Sequence, residues 1–291
     1  MKSSFLALSL VLVALAILNG GNVSAMEQVI TLKPLSDQDT RYQYPEDLLK
    51  LILRKTEKIH GKAEVVRCKY TMKRKRTFSA LLEGKDIHVM AEAVKPGWEE
   101  QLIPIRIPIR KGIQGFRTFL IHKDNQEALS KVQTLDDLKR IPTGSGAQWS
   151  TTRVLIENGF NVVLGNDYEG LFKMLMNKRF VTFGRGINET PFEYDARKEA
   201  YPDLAIEKHL VLFIPLPTYF FVTPKKPHLA RRIEEGLILM MHDGSFDAFF
   251  QERYGNIIAK ADLKNRRLFK IDNPNLSDKT PIDVSYFWYM P

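Results

Sequence analysis

Four stretches of this 291-residue sequence combine side chains able to hold a small charged solute. The first is Thr143-Gly-Ser-Gly-Ala-Gln-Trp-Ser-Thr-Thr152. Its small residues let backbone N–H groups approach a ligand, and a helix opening at Ser150 would aim unpaired N–H donors at it. Ser150 and Thr151 add hydroxyls, and Trp149 offers a stacking face. The Gly-Lys-Ser/Thr ending of a nucleotide-binding loop is missing. The second is Gly184-Arg-Gly-Ile-Asn-Glu189, where two glycines flank one arginine and Asn188 follows. Arg185 there either grips a carboxylate through two parallel N–H bonds or forms a salt bridge to Glu189 or Glu193. Arg106 and Arg110 make the third, and the loop 36–44, where Tyr42 or Tyr44 could supply an aromatic wall, the fourth. Three of the four can present positive potential, so a carboxylate-bearing solute fits best.

Other chemistries find less support. The six histidines, at 60, 88, 122, 209, 228 and 242, show no metal-ligand spacing, and Cys68 is the only thiol. No Gly-x-Ser-x-Gly elbow occurs. The sequence therefore predicts no metal site, no cofactor and no catalytic residue, although general acids could stand among the 34 carboxylates.

These stretches must be positioned by alternating strands and helices, the pattern of an α/β fold with mostly parallel sheets. Strands are predicted at 29–32, 64–68 and 87–90, with helices at 45–60 and 78–83 between them. Residues 103–110 place isoleucine at every odd position and Pro or Arg at every even one. Period-two alternation makes that run extended, and two prolines deny it a central place in a sheet. A second unit begins with a strand at 116–121. It continues through a Thr134–Asp137 capping box, a helix capped by Ser150, a strand at 162–164 and a helix capped at 166–167. A strand at 180–183, a charged helix at 192–201 and a strand at 205–211 complete it. Residues 213–222 form another proline-bearing run, which includes Tyr219. Two extended runs thus bracket a middle lobe: 26–110 and 218–291 form one discontinuous lobe, and 111–217 the other.

With 44% hydrophobic and 26% charged residues, the chain is neither disordered nor membrane-embedded, and one cysteine excludes a disulfide scaffold. Residues 1–25 read as a cleaved secretory signal: Lys2, an apolar run at 5–18 broken by Ser9, and small residues Val23-Ser24-Ala25. No cysteine follows for lipid attachment, so a periplasm is the expected address. The net charge of +9 includes the cluster Lys69, Lys73, Arg74, Lys75 and Arg76. It reads as a solvated loop or as a docking patch for a membrane partner. No nucleic-acid-binding pattern accompanies it.

The order of these features resembles bacterial extracytoplasmic solute-binding proteins of family 3, which are type II periplasmic binding proteins. The features are a signal peptide, a β-α-β-α-β lobe, a proline-bearing crossover, Thr134-Leu-Asp-Asp-Leu138, a Gly-rich turn into a Ser/Thr-capped helix, and an apolar helix at 229–244 followed by 246–254. The likeness covers about residues 28–255. The family ending is exceeded by 256–291, with Asn273-Pro-Asn-Leu276 and Tyr286-Phe-Trp-Tyr289, which resembles a less characterised subgroup. The resemblance implies two lobes joined by crossovers. It implies a monomeric receptor that closes on a small solute and passes it to an ABC-type permease, or alternatively a ligand sensor, an interaction protein or a dehydratase-like enzyme. Family members usually grip the α-carboxylate with an arginine before the first crossover, where Glu99 and Glu100 stand here ahead of Arg106. They hold the α-ammonium with an aspartate near the place of Arg185. On this reading the solute-binding residues are Tyr42, Tyr44, Arg106, Trp149, Ser150, Thr151, Arg185, Asn188 and Tyr219.

Overall fold

The first strand of the described residues, β1 (Glu27–Thr31), sends Val29 into the core. The computed structural model describes residues 26–34, 42–72, 74–95 and 97–291. The expected signal segment 1–25, most of the loop 36–44 and Lys73 of the basic cluster lie outside the described residues. Helix α1 (Gln43–Lys55) buries Tyr44, Pro45, Leu48, Leu49, Ile52 and Leu53 on one face, and carries Glu46 in its first turn and Arg54 and Lys55 in its last, as the helix dipole favours. A short α2 (Glu57–His60) follows, then β2 (Ala63–Arg67), α3 (Arg74–Glu83), β3 (Val89–Ala93), α4 (Trp98–Gln101) and β4 (Ile103–Ile105).

The middle of the chain supplies β5 (Phe116–His122), α5 (Gln126–Ser130), α6 (Leu135–Arg140), β6 (Thr143–Gly146), α7 (Ser150–Glu157), β7 (Val162–Gly165), α8 (Tyr168–Met176), β8 (Thr182–Gly186), α9 (Thr190–Asp195), β9 (Leu204–Ile206) and β10 (Leu210–Phe213). The capping box predicted for Thr134 and Asp137 forms with both of its bonds, and Asp167 caps α8 through the Gly170 N–H. The expected strand at 205–211 is broken instead into β9 and β10. Glu207 bends the backbone there, its buried carboxylate accepting the N–H groups of His209 and Leu210. The charged helix expected at 192–201 is the shorter α9, which starts two residues earlier with Pro191 in its first turn.

The chain returns as β11 (Thr218–Val222), α10 (Pro227–His242) and α11 (Ser245–Ala261). Every residue of β11 is buried, since it lies between β3 and β4 and is covered on both faces. Phe220 and Val222 enter the core shared with α1, α10 and α11, while Tyr219 and Phe221 enter the opposite one with Leu81 and Trp98. β4, with Pro104, pairs only on its β11 side, the edge position its prolines require.

In this first lobe β1 pairs with β2 in parallel, and the link to β3 runs through one residue. His88 donates its backbone N–H to the Ile30 carbonyl (2.8 Å), and its Nδ1 accepts the Ile30 N–H (3.2 Å). Burial and, less strongly, Lys226 hold the imidazole below its ordinary pKa, with the Gln28 backbone and Glu27 opposing and His228 adding. An imidazole that resists protonation when folded lets the unfolded chain bind the extra proton. Stability is therefore complete above about pH 6.5 and falls as pH drops below it, by at most about 1.4 kcal/mol per pH unit. Melting temperatures of the parent and His88→Gln between pH 7.5 and 5 check this: the variant should show the shallower fall.

The second lobe is one seven-stranded sheet in the order β12-β10-β5-β8-β6-β7, with β9 also on β5. Parallel pairs β6–β7 and β6–β8 form its body, while β5 runs antiparallel to β8 and β10 because it carries the chain in from the first lobe. The two crossovers lie side by side. Ile109 donates its N–H to the Thr218 carbonyl (3.0 Å) and Ile214 to that of Gly115 (3.0 Å). One strand departs from the expected division: β12 (Arg267–Lys270), inside the segment 218–291 assigned to the first lobe, adds in parallel to β10 of the second. Phe269 and Ile271 draw it there by filling the core beneath that sheet edge. Among the described residues no helix is long and apolar enough to cross a membrane.

Candidate solute site between the lobes

The carboxyl end of β8 lies beside the start of β5, where Ile187 donates its N–H to the Phe116 carbonyl (3.0 Å), and strand carboxyl ends are where sheets of this kind bind ligands. Arg185, in β8, is buried and holds both carboxylate oxygens of Glu193 at the end of the next turn, with Nε–O distances of 2.9 and 2.8 Å and Nη2–Oε1 of 2.6 Å. Nη2 also lies 3.1 Å from Glu189. The guanidinium sits 4.6 Å over the Trp149 ring and near the rings of Tyr168 and Phe183. Burial works against its charge, but Glu189 and Glu193 outweigh that and raise its pKa.

Glu189 organises the exposed side of this network. Its Oε2 accepts the Gly186 N–H (2.9 Å) and stands 3.6 Å from Nη1 of Arg117. Burial pushes its pKa up, but Arg185 and Arg117, with a smaller contribution from Arg110 of the crossover, hold the carboxyl below its ordinary range. Arg117 is itself buried, donates to the carbonyls of Gly184 (2.8 Å) and Gln114 (3.2 Å), and is pushed by burial below the usual guanidinium value. Over Gly186 the three groups converge: a side chain there would meet Asn188 Oδ1 at 2.7 Å, Glu189 Oε2 at 3.1 Å and Arg117 Nη1 at 3.4 Å. Asn188 Oδ1 is buried without a hydrogen-bond partner. Asn188, Glu189 and Arg117 thus bring an acceptor, a carboxylate and a guanidinium into close packing over Gly186, and the charge of Arg110 in the crossover acts on Glu189 as well.

The nine predicted residues separate into groups. Trp149, Arg185 and Asn188 come together as expected, although Arg185 takes the salt-bridge alternative. Its Nε and Nη2 are engaged by Glu193. Ser150 does not cap α7, because Trp149 occupies the cap position and the hydroxyl falls inside the first turn. Thr151 points into the lobe, lining a cavity of about 20 Å³ with Arg117, Thr143 and Thr182. Tyr44 is no open aromatic wall. It is buried against Phe249 and Tyr254, and its hydroxyl donates to the Ile109 carbonyl (2.8 Å). Tyr42 precedes α1 and packs against the core of Leu32, Leu81 and Trp98. Arg106 pairs with Glu99 (2.9 Å), and Tyr219 is wholly buried near both, its hydroxyl facing Thr280. Arg110 lies 5.5 Å over the Tyr44 ring and donates to the Tyr254 hydroxyl, and it is the crossover arginine whose charge acts on Glu189.

Arg117 and Tyr168 were not among the predicted residues. An arginine second in the otherwise apolar run 116–121 is the signal that could have found Arg117, since a buried strand retains such a charge only where it is paired. Among the described residues no group of three or more His, Cys, Asp or Glu side chains could hold a metal ion.

No family model and no curated protein sequence matches the chain. Solved structures do. An arginine third transport system periplasmic binding protein from Legionella pneumophila aligns with a TM-score of 0.54 and 15% identity over 79% of this chain and 100% of its own. An ancestral arginine-binding protein bound to glutamine gives 0.51 and 17% over 78% and 98%. An ancestral amino acid-binding protein described as a precursor of cyclohexadienyl dehydratase gives 0.51 and 15% over 78% and 95%. At these identities the likeness is one of architecture, and it agrees with the resemblance in the sequence: the chain has the two-lobed α/β fold of type II periplasmic binding proteins.

Proposed function

We propose that the protein is a monomeric periplasmic solute receptor that closes on a small polar, carboxylate-bearing molecule and delivers it to an ABC-type permease. The observation that carries this reading is the cluster over Gly186, where the partnerless Asn188 Oδ1, Glu189 and Arg117 converge and the charge of Arg110 in the crossover acts on Glu189. A dipolar solute suits it: the arginines take the carboxylate, and Glu189 with Asn188 Oδ1 takes an ammonium or amide. A ligand touching both lobes lowers the energy of the closed form, which drives hinge closure. Proteins of the same fold described as binding arginine or glutamine make amino acids the first probes. The apolar run at 5–18 supports export.

A thermal-shift screen with amino acids, dicarboxylates, polyamines and sugars tests it. A ligand at a hundred times its dissociation constant adds about 2.7 kcal/mol. An amino acid or other carboxylate should raise the melting temperature by several degrees. Asn188→Ala should remove most of that shift while moving the unliganded melting point little, because Oδ1 has no partner to lose. A response to polyamines alone, to no probe, or chemical turnover of the bound probe would overturn the reading.

A further inference from the structure

The C-terminal segment makes contacts that a hinged pair of lobes does not need. After α11 of the first lobe the chain crosses to the second, where Arg266 Nη1 donates to the carbonyls of Glu207 (2.6 Å) and Leu210 (3.3 Å). Arg267 donates its N–H to the His209 carbonyl (2.7 Å) and β12 joins the sheet. Asn158 Nδ2 donates to the Asp272 carbonyl (2.9 Å). The chain then turns back. Asn273 Nδ2 donates to the Pro215 carbonyl of the second crossover (2.8 Å), and Leu276 packs against the first-lobe core of Leu32, Trp98 and Tyr219.

Its end lies on the crossovers themselves. Lys111 (φ 46°) and Gly112 (φ 67°) form a left-handed turn in the first crossover, where a hinge rotation would be absorbed. The Trp288 ring covers that turn so closely that a side chain at Gly112 would meet it at 2.4 Å. Tyr289 donates its N–H to the Lys111 carbonyl (2.8 Å) and sets its ring edge-on to Phe116 (6.0 Å, 80°). Tyr286 anchors the same stretch to the first lobe through the Met241 carbonyl (3.0 Å).

We propose that residues 262–291 are a strap that ties the two lobes together and restrains opening of the hinge. Two crossovers alone let the lobes separate by changing a few backbone dihedrals. With the strap in place, opening must also break the Asn273, Leu276, Trp288 and Tyr289 contacts. The strap can nevertheless lift, because its end is not sealed: a cavity of about 220 Å³ remains between Trp288, Tyr289 and Met290 on one side and Phe116, Phe213 and Leu268 on the other. The inference rests on the fold and the strap contacts, so it stands or falls separately from the solute reading.

Pulsed spin-label distance measurements test it without any ligand. Labels at Lys58→Cys and Lys131→Cys, both exposed and one on each lobe, are read in a Cys68→Ser background. The full chain should give one narrow distance distribution. A chain ending at Asp272, which keeps β12, should give a longer and broader one. Trp288→Ala, which removes the cover of the hinge turn and no backbone bond, should move in the same direction by a smaller amount. Melting by circular dichroism confirms that each variant is folded, and Trp288→Ala decides the matter if the shortened chain does not fold. Distributions that coincide in the full chain and the folded variants would overturn the strap.

Discussion

Arg185→Ala lowers the melting temperature of the unliganded protein by roughly 10 °C, from a loss of about 3–5 kcal/mol at about 2–4 °C per kcal/mol. The reason is the company Arg185 keeps. Its guanidinium occupies both oxygens of Glu193, a residue 8% exposed, and lies 3.1 Å from Glu189. Removing it leaves one carboxylate buried beside aromatic rings without its cation, and leaves Trp149 without the plane that covers it. Were Arg185 a solute clamp standing free in the cleft, the same substitution would spare the unliganded protein and abolish only ligand-induced stabilisation. Differential scanning calorimetry of parent and variant separates the two outcomes. The pair Arg185→Met with Glu193→Leu should recover most of the loss, because replacing both buried charges by apolar groups of similar volume is close to neutral while removing one is not.

Glu207→Ala should cost about as much, on the order of 3–5 kcal/mol, by stranding several donors at once. The side chain is fully buried and accepts the backbone N–H groups of His209 (2.8 Å) and Leu210 (2.6 Å) and the Gln126 amide (3.0 Å). It also faces Nη1 of Arg266 at 3.6 Å. With an alanine there, the corner between β9 and β10 loses its acceptor and Arg266 loses the charge that draws the returning chain onto β10. Hydrogen exchange gives the discriminating measurement: amides of β12 should exchange faster in Glu207→Ala and stay protected in Arg185→Ala. Equal protection of β12 in the two variants would show that Glu207 does not hold it. Glu207→Gln, which keeps one acceptor oxygen, should lose less.

Much of the architecture was legible because it depends on short-range pattern. The isoleucine alternation of 103–110 predicts an extended, edge-placed crossover; the edge strand is β4 (Ile103–Ile105) alone and a turn follows, although Ile105, Ile107 and Ile109 are all buried. The Thr134 capping box and the Asp167 cap depend on contacts three residues apart, and both form. Legibility failed where one side chain answered to distant partners. Ser150 has the residue type and place of a helix cap, but Trp149 takes that position and Ser150 is the first helical residue. Tyr44 and Tyr219 have the right types for a binding wall, yet α11 and the strap bury them. The strand at 205–211 looks continuous in hydropathy, and only the buried Glu207 carboxylate divides it.

By itself, then, the sequence determined the alternating elements and the proline-bearing crossovers of a two-lobed α/β fold. Apolar periodicity and backbone stiffness act within a few residues and leave little freedom. Tertiary structure alone decided what the charged residues do. A guanidinium aimed at a solute and one closed on a carboxylate have the same local sequence, and the difference lies in whether Glu193 reaches it from the next helix. The same holds for the C-terminus: composition could not say which lobe takes 262–291, because its contacts reach residues 111, 158, 207 and 215, far away along the chain. Burial offered by both lobes at once turns that segment into a tie between them.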